Sequence, residues 1–174
     1  MNDIMSNIWF DLLGLLFLLL AAAFFAGSET AVTAASRGRM HALENEGNKR
    51  AILINKLREK KEKLIGALLL GNTLVSVSIG SLATAATIAT IGEKYVVFVT
   101  FTVATLLLIF SEVMPKTYAL MQPDKMALAL APMVNICVKL FTPATHAVEK
   151  TVQLIFLIFG VDKAGHSREA QVEE

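Results

Sequence analysis

The sequence predicts an all-α integral membrane protein, with three transmembrane helices plus amphipathic juxtamembrane helices, and three observations carry that prediction. First, 55% of the 174 residues are hydrophobic and the mean hydropathy is +0.58, beyond the roughly 45–50% apolar share of soluble domains. Second, the apolar residues are segregated: Leu64 to Gly92 carries no charge over 29 positions, and Leu12 to Ser28 and Tyr95 to Ser111 carry none over 17 each. Stretches of ~17–25 such residues span a bilayer as helices. Third, nine of the sixteen basic residues fall in one interval, Arg37 to Lys63, between the first two runs.

That interval also orients the chain. Asp3 and Asp11 precede the first run with no basic residue, and only Lys94 lies between the second and third. Lysine and arginine concentrate on the cytoplasmic side. The N-terminus is therefore expected outside and Arg37–Lys63 inside, with Lys116 and Lys125, after the third run, inside as well. The expectation is a multi-pass cell-membrane protein with a cytoplasmic C-terminus and the lipid bilayer as its first partner. A cleaved signal peptide at Ala21-Ala22-Ala23 is the weaker reading, because a positive leading segment is absent and the apolar run continues into Phe24 and Phe25.

The first span ends in Phe24-Phe25-Ala26-Gly27-Ser28-Glu29-Thr30-Ala31, where glycine beside Ser-Glu predicts a helix that kinks or breaks. Between Ala35 and Lys63 the pattern is amphipathic. Ala51, Ile52, Ile54 and Leu57 oppose Lys49, Arg50, Lys56, Arg58, Lys60 and Lys61, and Glu44 to Asn48 reads as a turn between two short helices. Such helices suit the inner membrane surface, where basic side chains meet anionic headgroups.

In the second span Asn72, Ser76, Gly80 and Thr84 recur every four residues, a small and polar stripe expected to face protein. Packing alone explains Ser76, Gly80 and Thr84; for Asn72, packing and ligation both stand. The third span closes in Leu106-Leu107-Leu108-Ile109-Phe110-Ser111-Glu112-Val113-Met114-Pro115-Lys116. A carboxylate there is costly in lipid and points to a protein interior or an ion path. Pro115 lacks an N–H, frees the carbonyl of Ser111 and disturbs the helix. The competing reading of Glu112 is a neutral carboxyl hydrogen-bonded in the bundle. Lys116 reads better as snorkelling to the interface than as the partner of Glu112.

Beyond the third span the apolar pieces are short and interrupted by Pro132, Lys139, Pro143 and Lys150. They are expected to form a helical hairpin on the inner side; a fourth crossing, with Lys139 inside it, is the weaker reading. Residues 1–161 then form the membrane domain and 162–174 a linker to further cytoplasmic domains. Cys137 is the single cysteine, so no intrachain disulfide forms, and His41, His146 and His166 lack metal-ligand spacing. No nucleophile–base pair suggests an enzyme, and nothing suggests a nucleic-acid partner.

Ser28 with Glu29, Asn72 and Glu112 fall at the inner ends of three spans, hence at one depth. Hydroxyl, amide and carboxylate oxygens favour a hard ion: Mg²⁺, Ca²⁺, Na⁺ or a proton. Glu29 reads equally as a ligand or as a gate.

The segments Phe25 to Ala31, Gly71-Asn72-Thr73-Leu74-Val75 and Ser111 to Lys116, in this order and at these span ends, resemble the transmembrane domain of the CNNM/CorC family of Mg²⁺ transporters, over roughly residues 8–160. The resemblance implies a homodimer with three spans per subunit and Mg²⁺ export coupled to Na⁺ entry. It also implies a metal site of Ser28, Asn72 and Glu112, helped by backbone carbonyls near Gly27 and Gly71. Glu29, Ser76, Ser111, Pro115 and Lys116 then belong to the ion path or its helix break. Many members read Ser-Gly where this chain has Ala26-Gly27, which leaves one hydroxyl fewer. In the family, cystathionine-β-synthase-type nucleotide-binding modules follow. The alternative function is a membrane scaffold or Mg²⁺ sensor that does not transport.

Overall fold

The computed structural model describes residues 2–158, with side chains from Trp9 to Val148 without a gap; the expected linker at 162–174 lies outside the described residues. Every regular element among them is helical: α1 (Asn2–Ala34), α2 (Arg37–Asn45), α3 (Lys49–Glu59), α4 (Lys61–Thr90), α5 (Val96–Leu106), α6 (Met114–Met121) and α7 (Pro123–Ile158). A 3₁₀ turn, Glu93–Tyr95, leads into α5, and a π-helical segment, Leu107–Val113, joins α5 to α6.

Local chemistry sets the boundaries. Ser36 caps α2 by accepting from the Arg39 N–H, and Asn48 caps α3 by accepting from the N–H groups of Arg50 and Ala51. The expected turn between α2 and α3 is present. Gly47 there takes φ +81°, which side chains with a Cβ resist, while its N–H and that of Asn48 satisfy the carbonyls of Glu44 and Leu43. Gly92, at φ +98°, likewise ends α4 and turns the chain into α5.

α1 and α4 form an antiparallel pair. Gly14 approaches Leu82, and Gly71 approaches Phe25; as α1 advances, its partners on α4 run backward. α1 passes through Gly27 and Ser28 unbroken to Ala34, correcting the expected break. Gly27 instead permits close approach: a Cβ there would sit 2.6 Å from Met126 and 3.3 Å from the Pro115 ring. Gly80, expected to face protein, is exposed and has nothing within 4 Å of a built Cβ.

Residues 123–158 form one helix, so the expected hairpin is corrected. Pro132 and Pro143 sit on exposed positions within α7, where the missing hydrogen bonds do not disrupt a packed face. Trp9–Ala34, Lys61–Thr90, Glu93–Met121 and Pro123–Val148 are all long and apolar enough to cross a membrane. The contacts of α7 distinguish it from the others. Met126 meets Gly27 and Phe141 meets Phe25 at 6.2 Å between ring centres. Those α7 positions are about 22 Å apart along their helix, against about 3 Å for their α1 partners. At its start Asp124 binds the Ser36 N–H at 2.8 Å, and further along His146 lies 3.4 Å from Lys63. α7 thus crosses the bundle where α1 stops and α4 starts.

The core sits at this same end. Phe25, Val32, Met40, Ile54, Leu64, Leu68 and Val134 form one buried cluster drawn from α1, α2, α3, α4 and α7. α3 needs a second correction. Its buried residues are Ala51, Ile54 and Leu57, whereas Ile52, assigned to the apolar face, is 41% exposed. Arg58, assigned to the polar face, points inward. Its guanidinium donates to the carbonyl of Val32 at 2.6 and 2.8 Å and to that of Ala35. Helix ends leave such carbonyls without donors, so α3 caps α1. Burial, with Arg37 nearby, lowers the Arg58 pKa, while Asp124 opposes that shift.

Candidate functional site where three helices meet

The three sequence segments meet in space. Phe25 rests on Gly71, where a Cβ would fall 2.4 Å from the ring, and Gly27 packs on Pro115. One turn of α1 therefore touches the segment of α4 that carries Asn72 and the segment after Glu112. The common depth expected from the sequence is a physical contact of helices.

Ser28 follows these contact residues on α1 and is fully buried. Among the described residues its Oγ has no hydrogen-bond partner. That is unusual even within this chain. Thr30, Thr33, Thr73, Ser78, Thr87 and Thr142 all donate to a carbonyl four residues back on their own helix. An unpaired buried hydroxyl costs about 1–3 kcal/mol of desolvation.

The π-helical segment carries the other acidic motif. Its wide turns are closed by the Met114 N–H bonding to the carbonyl of Ile109, five residues back, immediately before Pro115. The disturbance expected from Pro115 takes this form, and π segments are frequent at functional sites. The widening sends adjacent residues in different directions. Ser111 is buried and its Oγ donates to the Leu19 carbonyl of α1 at 3.4 Å; it ties helices together. Glu112 is exposed on the single protomer, and among the described residues it has no ion-pair partner within 4 Å. Lys116, half-buried, does not pair with it.

Asn72, Ser76 and Glu29 are half-buried. Among the described residues no group of three His, Cys, Asp or Glu side chains could hold a metal, so any ion here depends on hydroxyl, amide and backbone oxygens beside one carboxylate. Beside the site, a cleft of about 460 Å³ opens between α1, α6 and α7, lined by apolar residues including Phe24, Pro115 and Met126.

Sequence reasoning missed Arg58 and Asp124. Asp124 accepts from the Ser36 N–H and lies 3.7 Å from Arg39, so Arg58 fixes α3, and Asp124 fixes α7, to the junction of α1 and α2. The signal for Arg58 was available: it is four residues past Ile54 and seven past Ala51, on the buried stripe of α3.

Comparison with known proteins agrees with this architecture. Residues 13–174 match the cyclin M transmembrane N-terminal domain, the CNNM model. A UPF0053 protein of Haemophilus influenzae is 30% identical over 147 residues, covering 84% of this chain and 35% of that protein. The UPF0053 inner membrane protein YfjD of Escherichia coli is 35% identical over 106 residues, covering 61% of this chain and 25% of its own length. The UPF0053 protein YhdT of Bacillus subtilis aligns with the whole chain at 30% identity over 40% of its length. The chain thus spans between a quarter and two-fifths of these relatives. It belongs to the CNNM family, as a multi-pass, all-helical membrane domain.

Proposed function

We propose that this chain is the membrane domain of a Mg²⁺ transporter, an exporter coupled to Na⁺ entry, whose ion site lies at the inner end of the helix bundle. Ser28, Asn72 and Glu112 are its ligands, with backbone carbonyls near Gly27 and Gly71. Three helices, α1, α4 and the α5–α6 unit, cross the bilayer with the N-terminus outside. α7 lies across their cytoplasmic ends, beside the basic helices α2 and α3. Its transverse contacts support that reading, since Asp124 and His146 both touch the end where α1 stops and α4 starts.

One observation carries the ion site: the buried, unpartnered hydroxyl of Ser28, at the level where the three motif-bearing segments touch. A hard cation supplies the partner this oxygen lacks. The exposure of Glu112 on one protomer supports a homodimer, because a carboxylate on a membrane helix is stable only against protein or water. Cytoplasmic nucleotide-binding modules in the longer protein would act on this end through α7 and its neighbours.

The test is the thermal midpoint of the detergent-purified protein against Mg²⁺ concentration, with Ca²⁺ as control, for wild type and Glu112→Gln. A ligand bound only by the folded state raises stability by about 2.7 kcal/mol at a hundred times its dissociation constant. We expect a saturable, Mg²⁺-selective rise that Glu112→Gln abolishes. Equal responses from both proteins, or none from either, would make Glu112 structural and the chain a scaffold or sensor.

A further inference from the structure

At the opposite end of the α1–α4 pair a second cavity, of about 170 Å³, lies between α1, α4 and α5. Asp11, Thr87 and Thr90 line it, amid Leu12, Leu15, Ala83, Ala86, Val99 and Val103. Asp11 is half-buried, and it is the sole charged residue among those lining the cavity. Asp11 and Ser28 are 17 residues apart on one helix, about 26 Å at ~1.5 Å per residue. The two sites are therefore separate.

The chemistry of the cavity is that of an electron-pair donor set. Thr87 is 5% exposed and donates its hydroxyl proton to the Ala83 carbonyl; Thr90 donates to the Ala86 carbonyl, both at 2.6 Å. With their protons turned back into α4, both Oγ atoms are left as acceptors only. The carboxylate adds two more acceptor oxygens. α4 also ends here: the Thr87 carbonyl takes both the Ile91 and Gly92 N–H groups, and the last turn has no basic residue. A helix C-terminus carries about half a negative charge. Lys94, just past the end of α4, sits 5.0 Å above the Tyr95 ring and does not line the cavity. Everything polar that lines the cavity attracts a cation, and nothing there donates to an anion.

We propose that this cavity is an outer binding site for a small, singly charged hard cation, Na⁺ in the test below, held by Asp11, Thr87 and Thr90. One carboxylate balances one positive charge, and beyond two hydroxyls the lining is apolar, with no amide oxygen of the kind Asn72 lends the other site to help hold a divalent ion. At roughly 30 Å³ per water molecule, the cavity admits the ion with a few of its waters. Its role, as the outer mouth of the same pathway, rests on the transport reading above; its existence does not.

The experiment is the thermal midpoint of the 174-residue chain in detergent against NaCl, with choline chloride holding ionic strength constant and KCl in parallel. Wild type, Glu112→Gln, Asp11→Asn and Thr87→Val are compared. We expect a saturable Na⁺ response in wild type and Glu112→Gln, with its midpoint concentration raised at least tenfold by Asp11→Asn and by Thr87→Val. Thr87→Val keeps the shape of the buried side chain, so it serves even where Asp11→Asn folds poorly. An unchanged Na⁺ response in both variants, or a wild type no more responsive to Na⁺ than to choline, overturns the proposal. A Na⁺ response that depends on Asp11, beside a Mg²⁺ response indifferent to Glu112, would sustain this site and refute the inner one.

Discussion

The two ends of this bundle are built on different principles. Where α1 stops and α4 starts, apolar residues from six helices share one buried cluster, glycines admit aromatic and proline rings, and Arg58 and Asp124 tie together the ends of α1, α2, α3 and α7. At the opposite end, α5 buries no residue at all. An apolar crevice of about 340 Å³ separates it from α1 and α4, lined by Leu12, Leu15, Leu16, Leu19, Ile79, Val103, Leu106, Leu107 and Phe110. In lipid, an exposed leucine carries little penalty, so close packing is not enforced where the bilayer is the solvent. Where close packing occurs, something else demands it, and here it surrounds an unpaired hydroxyl. Close packing is concentrated at the end where α1 stops and α4 starts.

Breaking the ionic cap should give the largest effect. Hydrogen bonds from a charged donor contribute about 1.5–3 kcal/mol each, and Arg58 donates to two carbonyls of α1. Arg58→Met is expected to lower stability by about 3 kcal/mol, or roughly 6–12 °C in thermal midpoint for a protein of this size. Arg58→Lys should recover less than half of that, since an ammonium cannot reproduce the planar fork. Full recovery by lysine would mean that charge alone matters at this end.

The glycines sharpen the contrast. Gly71→Ala places a Cβ 2.4 Å from the Phe25 ring, and overpacking of that kind costs about 1–3 kcal/mol. Gly80→Ala, nine residues further along α4, meets nothing and should stabilise α4 by up to about 1 kcal/mol through helix propensity. Chemical or thermal denaturation of the two variants side by side measures the difference. Loss of stability in Gly80→Ala would show that a second copy covers that face.

Much of this was legible in the sequence, and the failures are instructive. Charge-free runs located α1, α4 and the α5–α6 unit, because burial in lipid is a property of composition. The turn at Gly47 and the disturbance before Pro115 were equally local. What escaped was tertiary. Pro132 and Pro143 read as breaks, yet both lie on exposed positions where α7 tolerates a missing hydrogen bond. Arg58 read as one more solvated cation, because its partner carbonyls lie more than twenty residues away. Gly27 read as a hinge, and it is a contact. Of the candidate ligands, the sequence supplied residue types and depth, while the orphaned state of Ser28 is a fact of packing.

Ser28→Ala separates stability from binding, with a smaller effect than Arg58→Met. The hydroxyl is buried and unpaired, so removing it relieves a desolvation penalty of about 1–3 kcal/mol. A methyl group there still fills most of the space. Without Mg²⁺, Ser28→Ala is therefore expected to be about 1 kcal/mol more stable than wild type, a rise of roughly 2–4 °C. With saturating Mg²⁺ the order should reverse, because only wild type gains from the ion. Crossing of the two thermal-midpoint curves as Mg²⁺ is raised is the signature of an oxygen kept unsatisfied for a ligand. A variant that is less stable at every Mg²⁺ concentration would instead mean that the hydroxyl already has a partner, a water or a neighbouring carbonyl, and serves the fold alone.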